Sequence, residues 1–337
     1  MHVNNIDNKE YETLWASLNQ RLGAIETQHG LGAALQALHN QQCAAGFVRD
    51  DLGALNRFRF DHPHDEGRFF SVQYNPRRAQ RYAGAGRSEP PQGWESVNGG
   101  CFLCRDNIAW QQCGIELGYD IRTGGNDYFA VMNPYPLMPC HTVLVAQQHV
   151  PQAWLFSNPP CDMRRTVHDL LSLAERLPGF VGFYNGQGAG ASISGHLHFQ
   201  FFRRPEGYGL FALESATRLP VNPGYPLNAL HWRGDAQQVA DQASDWLSRW
   251  VERLPPGAQP SANIIATVAE PASQVQVFVV PRDQQRTHAP GMSGAVGGLE
   301  VLGELVFSTE QEWDQLQRRQ IDYFTIENML SAVSVPD

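Results

Sequence analysis

An α+β fold with a mostly antiparallel sheet and flanking helices is predicted by three features of the chain. Short apolar runs read as strands at 128–132, 142–146, 180–185 and 196–202. One helical segment, about 162–177, interrupts them. After Arg204 a Pro/Gly-rich link leads to a weaker echo of the same order. Runs of strands with a helix packed to one side favour α+β over alternating parallel units.

The elements follow in order. Up to about Asn56 the chain has helical periodicity: Tyr11, Leu14, Leu18, Leu22 and Ile25 share one stripe, and 31–38 repeats it. Arg68 to Gln73 reads as a strand running into Asn75-Pro76-Arg77-Arg78, and 82–100, rich in Gly, Pro and Ser, reads as a loop. The echo holds a helix near 236–253 and strands near 262–267 and 275–280. A Gly-rich loop (291–298), a strand (301–307) and a closing helix (309–331) follow.

Composition excludes several functions. The chain has 337 residues, 42% hydrophobic and 18% charged, which is ordinary for a folded protein and not for a disordered one. A formal net charge of −9 disfavours nucleic-acid polymers, whose binding rests on neutralising many phosphates. No apolar run is long enough to span a bilayer, and the start (Asn4, Asn5, Asp7, Asn8, Lys9, Glu10) is polar. Six cysteines without a secretion signal imply reduced thiols and a cytoplasmic setting. Lys9 is the only lysine, and no Gly-x-x-x-x-Gly-Lys-Ser/Thr loop exists, so P-loop and kinase-like chemistry is set aside.

The chemistry concentrates at Gly195-His196-Leu197-His198-Phe199-Gln200. On a strand, His196, His198 and Gln200 fall on one face, with Leu197, Phe199 and Phe201 on the other. A neutral imidazole can attack phosphorus and hold a nucleotidyl group, and a fixed amide beside it can stabilise charge on the non-bridging oxygens. Just upstream, 184–192 (Tyr-Asn-Gly-Gln-Gly-Ala-Gly-Ala-Ser) is a small-residue turn whose backbone N–H groups suit phosphate.

Cys101-Phe102-Leu103-Cys104 is a C-x-x-C that reads as half a zinc site, as two inert thiols or as a redox pair. Zinc needs two more ligands, and His149 and His196 are available, with Cys113, Cys140 and His141 as substitutes. The proline-rich segment 133–141 turns the chain sharply; its functional reading is a wall for a nucleotide base, with Asn133 at the substrate. Arg77 and Arg78, and separately Arg282 and Arg286, carry planar donor forks that suit phosphates, although in a chain with one lysine arginine also supplies the surface charge.

Taken together these residues resemble the histidine-triad (HIT) superfamily, in particular its nucleotidyl-transferring branch of galactose-1-phosphate uridylyltransferases, diadenosine tetraphosphate phosphorylases and GDP-hexose phosphorylases. The branch motif is His-x-His-x-Gln, where hydrolase members have a third His. The segments 73–77, 101–104, 142–149 and 184–200 carry the resemblance, which is close over about 70–205 and faint beyond. It implies a HIT-like sheet, with a helical extension (1–60), a catalytic unit (61–205) and a degenerate second unit (206–337). It also implies that His198 is the nucleophile, His196 a zinc ligand or a residue orienting it, and Gln200 a partner of the α-phosphate. Asn185 would bond phosphate or ribose, while Gly190, Ser192 and the loop N–H groups would hold the second phosphate. Cys101, Cys104, His149 and His196 would bind a structural zinc. Gly195 stands where several relatives have an acidic or amide residue, a departure that bears on the fine geometry of the site. The Gly-rich loop is spaced differently from that of the uridylyltransferases, which favours inorganic phosphate over a sugar phosphate as acceptor.

The expected function is therefore a nucleotidyltransferase of the phosphorylase kind, acting on a nucleotide anhydride (a dinucleoside polyphosphate or nucleotide-sugar). The chain would act as a monomer with an internal pseudo-dimer, or as a homodimer. Three alternatives stay open: a HIT-type hydrolase, a zinc-stabilised nucleotide-binding protein without turnover, and a thiol redox protein. Gln200 speaks against the first.

Overall fold

Asp7 starts the first helix by accepting the N–H of Glu10 at 2.8 Å. Along α1 (Asn8–His29), Tyr11, Trp15, Leu18 and Leu22 are buried on one face, and Gly30 lets α2 (Leu31–Ala44) fold back beside it. The computed structural model describes residues 7–50, 52–80, 86–123, 126–152, 162–218, 224–269 and 274–335. Asn4 and Asn5, and the 82–85 portion of the predicted loop, lie outside the described residues.

The chain continues through β1 (Asn56–Asp61), β2 (Phe69–Tyr74), α3 (Arg105–Gln111), β3 (Tyr119–Arg122), β4 (Asp127–Met132) and β5 (Thr142–Ala146). Next come α4 (Met163–Glu175), β6 (Phe180–Asn185) and β7 (His198–Arg203). The later part adds α5 (Ala212–Ala216), β8 (Leu230–Gly234), α6 (Ala236–Glu252), β9 (Pro260–Ala269) and β10 (Gln274–Asp283). It closes with α7 (Gly298–Val301), β11 (Glu304–Phe307), α8 (Glu310–Gln317) and α9 (Tyr323–Ser331).

One eight-stranded sheet, wholly antiparallel, runs β3-β4-β5-β7-β6-β9-β10-β8. About the β6–β9 seam, which has five strands on one side and three on the other, the order mirrors itself: β6-β7-β5 in one direction, β9-β10-β8 in the other. In each half a helix, α4 or α6, joins the outer strand to the central one, and the two helices pack together over the sheet. Asp162 and Asp235 cap these helices alike, accepting from Arg164 and Gln238.

Alternating residues send each strand's apolar side chains to two separate cores. Phe199 and Phe201 of β7, with Ala262, Ile264 and Ala266 of β9, join the helices α1, α2, α4 and α6. Phe202, Ile265, Phe278 and Val280 face the other way. There they meet the small sheet β1-β2-β11 and the helices α5, α7 and α9. A side chain at Gly182 would put its Cβ 2.2 Å from the Phe201 ring, so only glycine lets β6 lie under that ring.

The expected fold class is found, with adjustments. β7 begins at His198, so His196 precedes the strand. The strand expected at 301–307 begins at Glu304, after α7. The expected closing helix is two, separated where Arg319 takes φ 54°. Among the described residues no helix is long and apolar enough to cross a membrane.

Candidate active site and metal centre

β7 aims His198 and Gln200 at the face that also carries Phe202, away from α1, α2, α4 and α6. His196 does not share that row. It precedes β7, and its ring turns toward the loop that carries the C-x-x-C. Its Nε2 lies 2.8 Å from the carbonyl of Ala146, which can only accept, so the proton is on Nε2 and the lone pair on Nδ1. That lone pair points between the sulfurs of Cys101 (3.5 Å) and Cys104 (3.7 Å). His149, just past β5, completes the group with Nδ1 3.2 Å from Cys104 Sγ. The four ligand atoms lie within 4.8 Å of one another.

These are the four residues named from sequence. His141, Cys113 and Cys140 do not join them: His141 turns to Gln200, and Cys140 lies buried beside Thr142. Two sulfurs and two imidazole nitrogens gathered this closely fit zinc, and the bond from His196 to the Ala146 carbonyl is the sort that orients a metal-binding histidine. The hydrogen bond with Cys104 holds the Cys101 pKa down, and the same contact pushes that of Cys104 up. The supports were not evident in the sequence. Asn107 clamps the loop through Val97 and Cys101, and Asn98 donates to Cys104 Sγ at 3.2 Å. A cavity of about 470 Å³ lined by Asn98, Cys104, Arg105, Asp120 and His149 adjoins the cluster.

His198 is 5% exposed, and its Nδ1 lies 2.8 Å from the carbonyl of His196. Nδ1 therefore carries the proton, and Nε2 keeps the lone pair. Burial pushes the ring's pKa down to about 4, so it is neutral at physiological pH. The backbone around it is held by Gln152, a residue the sequence gave no reason to choose. Pairing of β6 with β7 runs from Phe180↔Arg203 to Phe183↔Gln200. Beyond it the Gln152 side chain bridges the strands, accepting from His198 N–H and donating to the carbonyls of His198 and Asn185. Gln152 replaces a rung of the ladder.

Asn185 lies on the same face of the sheet, but its oxygen points into the later part of the chain. It accepts from Asn263 Nδ2 (2.8 Å) and from the Gly298 N–H (2.9 Å). Asn263 also donates to the Ala189 carbonyl and accepts from Arg282 at 2.7 Å. Arg282 is fully buried and bonds the carbonyls of Val296 and Arg286 as well, so it is a strut and not a surface grip for phosphate. Gly190 has φ +97°, and a Cβ there would come 2.4 Å from Gly297 Cα; close packing of two loops requires this glycine.

The remaining candidates are spread out. Ser192 is exposed on the loop. Arg77 is exposed in a short turn, while Arg78 donates to the Tyr135 carbonyl at 3.1 Å. Asn133 closes the proline-rich turn by accepting from Tyr135 N–H, and its own N–H donates to the His141 carbonyl.

A family model described as "Domain of unknown function (DUF4922)" matches residues 38–203, which include the C-x-x-C and the His-x-His-x-Gln. No curated protein matches the sequence. Among solved structures the chain is similar to yeast Ap4A phosphorylase Apa2, with TM-score 0.57 and 16% identity over 89% of this chain and 97% of that one. The same enzyme in complex with Ap4A gives TM-score 0.54 and 17% identity over 89% and 97% of the two chains. The chain shares the fold of that phosphorylase. At this identity the likeness concerns the fold alone.

Proposed function

We propose that the protein is a nucleotidyltransferase of the phosphorylase type, with a dinucleoside polyphosphate as the first candidate substrate and a nucleotide-sugar as the second. The observation that carries this is the tautomer of His198: its Nδ1–H is engaged by the His196 carbonyl, which leaves a neutral Nε2 as nucleophile. The fold shared with an Ap4A phosphorylase supports the same reading.

His198 Nε2 attacks the α-phosphorus, a P–N bond forms, and the P–O bond to the departing nucleotide or sugar phosphate breaks. Inorganic phosphate then attacks the same phosphorus, the P–N bond breaks, and His198 returns to its neutral form. Because the departing group is already a stable phosphate anion, positioning and charge stabilisation matter more than a strong acid. Gln200 donates to the α-phosphoryl oxygens. Ser192 and Arg77, both exposed, would meet the other phosphate or the nucleoside, and Asn185, Gly190, Arg78 and Asn133 would hold the loops around them. Zinc would be held by Cys101, Cys104, His149 and His196, four protein ligands that close the tetrahedron, and would fix the loop against β5 and the start of β7.

We read the mirrored strand order as two HIT-like units, 61–205 and 206–337, after a helical extension 1–60. The second lacks a His-x-His and serves the first by holding Asn185. A monomer then suffices, and a cytoplasmic setting suits the free thiols.

Incubation with mass-tagged dinucleoside polyphosphates tests the reading. An acid-labile nucleotidyl adduct on His198, discharged by inorganic phosphate and absent in His198→Ala, is expected. Turnover at equal rates without phosphate would make the protein a hydrolase, and binding without any adduct would make it a nucleotide-binding protein.

A further inference from the structure

We propose that His141 is a positioning residue that sets which way the Gln200 carboxamide faces; the catalytic consequence rests on the function proposed above. A carboxamide is nearly symmetric in shape but opposite in chemistry at its two ends, so a site that uses one needs something to choose between them. Here the choice begins at a backbone group that cannot change role. The N–H of Leu137 donates to His141 Nδ1 at 3.2 Å. The ring's lone pair is therefore on Nδ1 and its proton on Nε2. That Nε2 lies 2.9 Å from Gln200 Oε1 and donates to it. The amide oxygen is thereby held at His141, and the NH2 is turned away from it as a pair of donors.

The reverse orientation would set the Gln200 NH2 against the His141 N–H and present a carbonyl oxygen to an anion. Burial keeps His141 neutral, pushing its pKa down to about 3, and the nearby Arg78 adds to the effect. Protonation therefore does not disturb the arrangement at ordinary pH. The proline-rich turn acquires a purpose from this. Pro134, Pro136 and Pro139 stiffen it, Asn133 closes it, and Cys140 takes φ 52° just before His141, the residue that precedes β5. The turn delivers one imidazole, 59 residues away in sequence, to the strand that carries His198.

Two readouts separate this from the activity itself. The first needs no turnover: 15N spectra of the His141 ring should show a neutral Nε2–H tautomer that persists at pH 5. An Nδ1–H tautomer, or protonation near the usual histidine value, would overturn the proposal. The second is kinetic. His141→Phe keeps a ring of similar size but loses the donor, and nucleotidyl transfer to His198 should slow about 10²-fold with KM changed no more than about threefold. His141→Gln, whose amide can again donate to Gln200 Oε1, should recover most of the rate. Gln200→Glu, which accepts from His141 but has no donors, should be as slow as Gln200→Ala.

Should His141→Phe melt too early to assay, the ring spectra and the Gln200 pair decide. Equal rates for wild type, His141→Phe and His141→Gln would sink the proposal. A wild-type protein that forms no adduct with any anhydride would strike the proposed activity instead, and the tautomer would then decide the orientation of the amide.

Discussion

Two polar clusters support the segment around His198, and they are composed on opposite principles. In the Asn185–Asn263–Arg282 group the named acceptors meet donors: Asn185 Oδ1 takes Asn263 and Gly298, and Asn263 Oδ1 takes Arg282. In the Cys101–Cys104–His149–His196 group, two sulfurs and two ring nitrogens come within 4.8 Å of one another. The donors that reach the sulfurs come from the rim, at Asn98 and Leu103. In the first cluster donors and acceptors of the chain answer one another, with Arg282 Nε left without a partner among the described residues. The second gathers four atoms that could ligate a metal ion.

That contrast can be broken in order of expected effect. Cys104→Ala, or prolonged chelation, should remove about one equivalent of zinc and lower unfolding stability by on the order of 5 kcal/mol. Metal analysis and denaturant titration check both, and unchanged stability after complete metal loss would put the second cluster on the same footing as the first. Arg282→Met should cost about 3 kcal/mol, since it leaves the oxygens of Asn263, Val296 and Arg286 without this donor. Its zinc content should equal that of the wild type; parallel loss of metal would show that the clusters are coupled.

Glu116 sharpens the comparison as a buried group of a third kind, a carboxyl that burial pushes up to about 8 from its ordinary 4.5. Between those values the folded chain holds a proton that the unfolded chain has released. Its contribution is thus full below the window and lost as pH rises through it. Stability should fall by about 1 kcal/mol between pH 7 and 8, and Glu116→Gln should flatten that slope. An unchanged slope in Glu116→Gln would assign the titration elsewhere.

What was legible in the sequence was what is local. The strands at 127–132, 142–146 and 180–185 and the helices at 163–175 and 236–252 announce themselves by periodicity, and their observed bounds lie within a few residues of expectation. The short elements β3, β8 and α3 offered too few residues for a pattern to stand out. At 301–307 an apolar run suggested a strand throughout, but Gly303 at φ +93° ends a helical turn there and only Glu304–Phe307 is extended.

The site divides the same way. The C-x-x-C and the His-x-His-x-Gln are compact in sequence and were visible. The alternation was carried one step too far at His196, whose ring is drawn off the row by Ala146 and the two sulfurs. Gln152 and His141 gave no sign of their roles, because their partners lie 46 and 59 residues away. Arg282 looked like a surface cation, and only its partners reveal a strut.

The β6–β9 seam of the large sheet has one more consequence. Its two strands are about 80 residues apart in the chain, so this seam closes only after a long stretch has been made. A chain stopped after β7 would leave the outer edge of β6 with bare N–H and C=O groups, beside exposed valine and phenylalanine. Such an edge is a template for sticking to other chains. Fragments ending there should precipitate when expressed alone and stay in solution when the missing half is supplied alongside.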